Sequence, residues 1–285
     1  MPKIHANGIE LYYELCGPPD GDVLVLSNGI LMSTGSWAYQ IDDLSRHNRL
    51  LLYDCRGMWN SDHPQGPYTM ELHADDLAAL LDALGIQQAH IGGISYGAEV
   101  SMAFALKYPR RARSLILSSA VSHSETLLKA MVESWRKAVL ARDADMFFQV
   151  SYWMNFSPAW IEANQATLQA TAQRYHSLDF DALLELIDCF LGMDLTARLC
   201  EIQVPTFVMV GEKDILKPRH YAEIIASAIP GAELVVVPGS GHALCHERPG
   251  VFNTLVLGFM AKHRACDQAQ VELVRPSTPG AFAKP

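Results

Sequence analysis

Ala89-His90-Ile91-Gly92-Gly93-Ile94-Ser95-Tyr96-Gly97-Ala98-Glu99 is the stretch that decides the fold. The run from Ala89 to Ser95 is apolar and short enough for a buried strand, whereas Tyr96 to Lys107 follows with helical spacing and stops ahead of Pro109. The segment therefore predicts strand, sharp turn, helix, with Gly93-x-Ser95-x-Gly97 in the turn. A turn this tight strains its central residue and requires small neighbours two positions away, which accounts for both glycines and offers the Ser95 hydroxyl as a nucleophile. A turn serine whose glycines serve packing alone is the competing reading.

Outward from this turn the chain alternates strand and helix signals. Asn7-Gly8, between two strand-like pieces of Lys3 to Leu15, is a hairpin signal. Val23 to Leu26, Leu50 to Tyr53, Leu115 to Leu117, Phe207 to Val210 and Leu234 to Val237 read as buried parallel strands. Met70 to Leu84 reads as an amphipathic helix stopped by Gly85. Such alternation predicts an α/β fold with a mostly parallel central sheet covered by helices on both faces. Between Ser122 and Leu199 no strand run appears, and Leu127 to Arg142, Pro158 to Tyr175 and Phe180 to Met193 look helical. The expected organisation is a core over 1–121 and 200–265, an inserted helical lid over 122–199, and a draped tail over 266–285.

Composition narrows the function classes. Over 285 residues, 49% are hydrophobic and 19% charged, so the chain can bury a core. Its 31 acidic against 22 basic residues give a formal charge of -9, which opposes a phosphate-binding face, and no nucleic-acid partner is expected. The opening MPKIHANGIELYYEL has neither signal-peptide nor membrane-anchor character, so a cytoplasmic location without membrane insertion is expected. The 6 cysteines lack CxxC or zinc-ligand spacing and read as thiols. No G-x-G-x-x-G or G-x-x-x-x-G-K-[ST] pattern occurs, so neither nucleotide cofactor nor metal is implied.

A serine hydroxyl needs a base to take its proton, and the base needs a carboxylate to orient its ring. His242, in Gly241-His242 after the strand Leu234 to Val237, stands at the carboxyl edge of the expected sheet. Asp214 stands beyond the carboxyl end of Phe207 to Val210, with Glu125, after the earlier strand Leu115 to Leu117, as a weaker rival. The order Ser95, Asp214, His242 matches the hydrolase triad and not the two serine-protease orders.

These residues, with Asp54-Cys55-Arg56-Gly57 before them, resemble the α/β-hydrolase superfamily over roughly Ile4 to Ala261. Leu24 to Gly29, Tyr53 to Gly57, Gly66 to Thr69 and Leu80 to Gly85 most resemble its 3-oxoadipate enol-lactonase-like branch. Where such lactonases read Gly-x-Ser-Met-Gly-Gly, this chain has Tyr96, Gly97 and Ala98, then Glu99. The long lid resembles, more weakly, that of the hydroxyacyltransferase that builds the lipid half of rhamnolipids. The resemblance implies an oxyanion hole formed by the backbone amides of Tyr96 and Ile30, with Leu31 the competitor for the second role. Asn28 is expected to brace that loop at the edge of the pocket.

The expected activity is therefore a serine esterase or lactonase that cleaves a small carboxylic ester or lactone through an acyl-serine. Transfer of an acyl or hydroxyacyl group from a thioester to an alcohol, C–C bond hydrolysis, and non-catalytic binding of a small molecule on the same scaffold are the alternatives; the oligomeric state is not readable. Trp37, Glu99, His123, Trp135 and Trp153 are candidate pocket residues, Trp37 because it follows the oxyanion loop, Trp135 and Trp153 because an aromatic-rich lid suits an apolar acyl group. For Glu99 the competing reading is a helix-facing ion pair, and a carboxylate buried there demands a partner. His90 and His246 read as structural.

Overall fold

The computed structural model describes residues 2–264. The expected tail, 266–285, lies outside them. Asn7 and Gly8 take φ of 49° and 80°, the pair of positive values a two-residue type I′ turn needs. They join β1 (Lys3–Ala6) to β2 (Ile9–Cys16) in an antiparallel hairpin. The chain continues through β3 (Asp22–Ser27), α1 (Ala38–Leu44), β4 (Asn48–Tyr53), α2 (Met70–Ala83), β5 (Ala89–Ile94), α3 (Tyr96–Lys107) and β6 (Ala112–Ser118). Five helices follow before the next strand: α4 (Thr126–Leu140), α5 (Ala144–Ser151), α6 (Pro158–Ala163), α7 (Gln165–Tyr175) and α8 (Phe180–Gly192). The chain then returns through β7 (Thr206–Gly211), α9 (Arg219–Ala228), β8 (Glu233–Val237), α10 (Leu244–Glu247) and α11 (Pro249–Lys262).

The strands form one sheet in the order β1-β2-β4-β3-β5-β6-β7-β8. β2 meets β4 antiparallel, and every pairing from β4 to β8 is parallel. This is the α/β-hydrolase architecture with an inserted helical lid. Leu77, Leu80 and Leu81 of α2 and Phe104 of α3 pack with Val25, Leu51 and Ile91 on one face. Trp37, Leu44 of α1 and Phe252 and Val256 of α11 pack with Leu24, Leu50 and Ile116 on the other. Both faces being covered explains why the strands read as continuous apolar runs instead of alternating. β3 and β5 are neighbours whose next strands, β4 and β6, lie on opposite sides, so a crevice opens beyond their carboxyl ends. The turn at Ser95 and the loop after Ser27 both emerge there.

The helix read over Pro158 to Tyr175 is two helices. Asn164 leaves helical geometry at φ -127°, ψ 26°, and its side-chain amide donates to the Trp160 carbonyl at 2.8 Å. Such local side-chain bonding competes with helix continuation and ends α6. The short α5 escaped the sequence reading, although Asp143 caps it by accepting the Met146 N–H at 2.8 Å. No helix among the described residues is long and apolar enough to cross a membrane.

Two core histidines give stability a pH dependence. Burial pushes His73 down to about 3 and His90 down to about 4, so both stay neutral in the fold. An unfolded imidazole titrates near 6.5, so the stabilisation is complete above that pH and is lost as pH falls toward 4, at up to about 1.4 kcal/mol per unit for each ring. Urea unfolding between pH 6 and 5 is expected to show proton uptake, smaller by about one proton in His90→Gln. An unchanged slope in that variant would contradict the assignment.

Candidate active site

Ser95 sits at φ 54°, ψ -120°, between β5 and α3. Few residues tolerate that conformation, and the surrounding contacts enforce it. A Cβ on Gly93 would come 2.5 Å from the Gly97 carbonyl, and one on Gly97 would come 2.1 Å from the Ser27 carbonyl. Glycine at both positions thus lets strand, turn and helix approach closely enough to lift the serine out of the sheet edge.

His242 and Asp214 meet at the same edge. His242 Nδ1 is hydrogen-bonded to Asp214 Oδ2 at 2.8 Å, with both side chains buried. The other carboxylate oxygen, Oδ1, accepts the backbone N–H groups of Leu216 at 3.0 Å and Lys217 at 2.8 Å. The acid is thereby fixed in its loop, and Nε2 is left as the imidazole's remaining basic nitrogen. One dipeptide anchors both serine and histidine: Ser95 N–H donates to the Ser118 carbonyl at 2.9 Å, and Ser119 Oγ donates to the His242 carbonyl at 2.9 Å. Ser95 Oγ and His242 Nε2 are not hydrogen-bonded in this structure; acyl-transfer sites often hold this pair loosely until substrate enters. Glu247 ties the histidine loop to the lid, accepting from Gly241 N at 3.0 Å, Ser157 N at 2.8 Å and Ser157 Oγ at 2.6 Å.

The loop after β3 supplies amides. A Cβ on Gly29 would lie 3.5 Å from Ser95 Cβ, so the loop passes directly over the Ser95 side chain. Among the described residues the N–H groups of Ile30 and Tyr96 have no acceptor, and Tyr96 begins α3, whose positive end adds to the pull on an anion. Asp54 holds this loop from behind. Its buried carboxylate accepts from Asn28 Nδ2 at 3.1 Å, Thr34 N at 2.8 Å and Asn60 N at 3.1 Å, and burial raises its pKa against the lowering effect of these donors.

Above Ser95 lies a narrow cavity, partly open to solvent. Ile30, Ser95 and Tyr96 form its core side. Leu128, Val132 and Trp135, one face of α4, and Ile187 and Phe190 of α8 form its lid side, while Leu216 and Lys217 close it from the acid loop. The adjoining residues Leu31 and Leu186 line a second cavity with His63 and Asp179.

A family model described as alpha/beta hydrolase fold matches residues 22–249. The chain belongs to the α/β-hydrolase superfamily. A relative from Azorhizobium caulinodans, named as carbamate hydrolase RutD, is 31% identical over 91% of this chain and 98% of its own length. The enol-lactonase of Burkholderia xenovorans LB400 is 26% identical, with a TM-score of 0.86 over 91% of this chain and 100% of its own. A thermophilic esterase from Thermogutta terrifontis is also 26% identical, with a TM-score of 0.83 over 92% and 98%.

Against the hydrolase frame, the expected site residues separate into two groups. The structure brings Ser95, Tyr96, Ile30 and Trp135 to the cavity and joins Asp214 to His242. The rival Glu125 is exposed and faces His220 at 3.2 Å. Four expected pocket residues stand elsewhere. Asn28 is spent bracing the loop, between Asp54 and the Trp37 indole, whose N–H it accepts at 2.7 Å. Trp37 is wholly buried in the core against Phe252. His123 is held at the lid's base by Thr196 Oγ1 at 3.0 Å and the Tyr221 ring. Trp153 packs against Phe148 and Tyr152 and is partly exposed on the lid surface.

Glu99 is fully buried, and its partner is Lys217, a residue sequence reasoning passed over. Lys217 Nζ lies 2.9 Å from each Glu99 oxygen, and Glu99 Oε1 also accepts the Val121 N–H at 2.9 Å. Burial raises Glu99 and lowers Lys217, each opposed by the other's charge. The signal in sequence was the demand of a buried Glu99 for a cation; nothing local identified which one.

Proposed function

We propose that this protein hydrolyses a small carboxylic ester or lactone by two-step acyl transfer through Ser95. The observation that carries the reading is the Asp214–His242 hydrogen bond of 2.8 Å at the sheet edge that also presents Ser95 in its strained turn. His242 Nε2 takes the hydroxyl proton as Ser95 Oγ attacks the carbonyl carbon, and the C=O electron pair moves onto oxygen. The Ile30 and Tyr96 amides receive that negative charge. Asp214 stabilises the imidazolium without taking its proton. Collapse of the tetrahedral intermediate breaks the bond to the leaving oxygen, which takes the proton from His242. Water, deprotonated by the same nitrogen, then attacks the acyl-serine and releases the acid.

The largely apolar lining beside Ser95 supports an apolar acyl group at this site. The activities by which the relatives are named, enol-lactonase, esterase and carbamate hydrolase, all concern a carbonyl bearing a heteroatom leaving group, the class this machinery suits. The test is acid release from a panel of methyl and phenyl esters, five- and six-membered lactones and a phenyl carbamate. Turnover of esters or lactones dependent on Ser95 is expected. No turnover of any of them, or turnover of the carbamate alone, would overturn the ester and lactone assignment.

A further inference from the structure

Lys217 is the one charged side chain among the residues lining the cavity beside Ser95. It lines the same cavity as Ser95, is only 3% exposed, and its Nζ sits 4.8 Å from the centre of the Phe190 ring, another cavity wall. The other polar side-chain ends around this cavity, apart from Ser95, are already engaged. Tyr96 OH is bonded to His73 Nε2 at 2.8 Å, and the Trp135 indole N–H donates to the Val150 carbonyl at 2.9 Å. An ammonium has three N–H groups. Glu99 takes two of those of Lys217, and among the described residues no further oxygen accepts from Nζ.

Burying such a pair carries a desolvation cost that a pair of apolar side chains would avoid. What the pair supplies in return is a charged donor at the wall of a space otherwise lined by hydrocarbon. The sign of the local charge decides what it takes. Lys217 and Glu99 are neutral together, so a substrate carboxylate would bring a second negative charge beside Glu99 in a desolvated site. A neutral oxygen gains a charge-assisted hydrogen bond without that repulsion.

We infer that Lys217 is a specificity-determining residue whose remaining N–H binds a neutral carbonyl oxygen on the acyl chain, so that the preferred substrates are oxo-acyl esters or lactones. Glu99 acts through Lys217 as a positioning residue, holding the ammonium against the cavity wall. The proposal rests on the reading of Ser95 as the nucleophile, which fixes the acyl end of the substrate in this cavity.

The test compares methyl 4-oxopentanoate with methyl pentanoate, methyl 5-oxohexanoate with methyl hexanoate, and monomethyl succinate with both shorter esters, by acid release. At least one oxo ester is expected to exceed its alkyl match in kcat/KM by about tenfold or more, the gain of one charge-assisted hydrogen bond, with the succinate ester slowest. In the double variant Lys217→Met with Glu99→Met, which leaves no unpaired charge, that ratio is expected to fall to near one; comparing ratios cancels intrinsic ester reactivity. No oxo preference in the wild type, a preference that survives in the double variant, or preference for the succinate ester would each overturn the proposal. If the double variant does not fold, the wild-type ordering decides. Equilibrium binding of the same oxo and alkyl esters to Ser95→Ala, followed by ligand-observed NMR, separates the two readings. Preferential oxo-ester binding without wild-type turnover would retain Lys217's role and reject the hydrolase assignment, whereas turnover with no oxo preference would do the reverse.

Discussion

Ser95→Ala is expected to lower kcat/KM for small esters by about 10⁴-fold or more while leaving the fold intact. The substitution keeps Cβ and removes Oγ alone, so the contacts of Gly93 and Gly97 that hold φ at 54° remain satisfied. Lost with Oγ is the covalent route, and the Ile30 and Tyr96 amides can then assist only direct attack by water. Circular dichroism and thermal unfolding close to wild type, with activity near background, are the expected pair of results. A loss of less than tenfold would mean that another nucleophile operates. Because Asp214 acts through the imidazole, Asp214→Asn is expected to cost heavily in kcat also.

Lys217→Met alone is expected to be among the most destabilising single substitutions in this chain. It leaves the Glu99 carboxylate fully buried with the Val121 N–H as its remaining hydrogen-bond donor. Removing one partner of a buried ion pair costs about 3–5 kcal/mol, which for a protein this size lowers Tm by roughly 10 °C. Exchanging Glu99 for Met as well removes the orphaned charge and is expected to return most of that loss. The single variant's deficit also shrinks at acid pH. Burial already raises Glu99 above the ordinary carboxylate range, so without Lys217 it binds a proton in the fold more readily than in the unfolded chain; the penalty grows as pH rises above about 4.5 and fades below it. Melting curves at pH 5 and 7.5 for both variants check this. Equal Tm for wild type and Lys217→Met would show that the pair carries no net structural weight.

The parts of the molecule governed by local rules were legible in the sequence. Asn7-Gly8 announced its hairpin, Gly85 its helix end, and Gly93-x-Ser95-x-Gly97 its turn, because in each case a short segment needs one backbone conformation. Parallel strands buried on both faces were equally plain as apolar runs. The order Ser95, Asp214, His242 named three residues now seen at one sheet edge, since each follows a strand's carboxyl end. Long-range contacts were not legible. Trp37 follows the loop over Ser95 in sequence, yet its ring turns into the core, where Asn28 takes its N–H and Phe252 packs on it. Leu128, Val132 and Trp135 carry a helical spacing that identifies a face, but the spacing does not say whether that face meets core or cavity. Lys217, three residues past the acid and surrounded by Ile215, Leu216 and Pro218, gave no local sign that it reaches Glu99 across the fold.

The central claim is that the oxygen of Ser95 becomes acylated and that His242 makes it reactive. The most direct measurement is rapid-quench intact mass spectrometry with p-nitrophenyl acetate, followed by peptide mapping. One acetyl group per chain is expected within the first turnover, located on Ser95, absent from Ser95→Ala and strongly slowed in His242→Ala. Turnover with no adduct at any quench time, or an acetyl group on another residue that persists in Ser95→Ala, would contradict it.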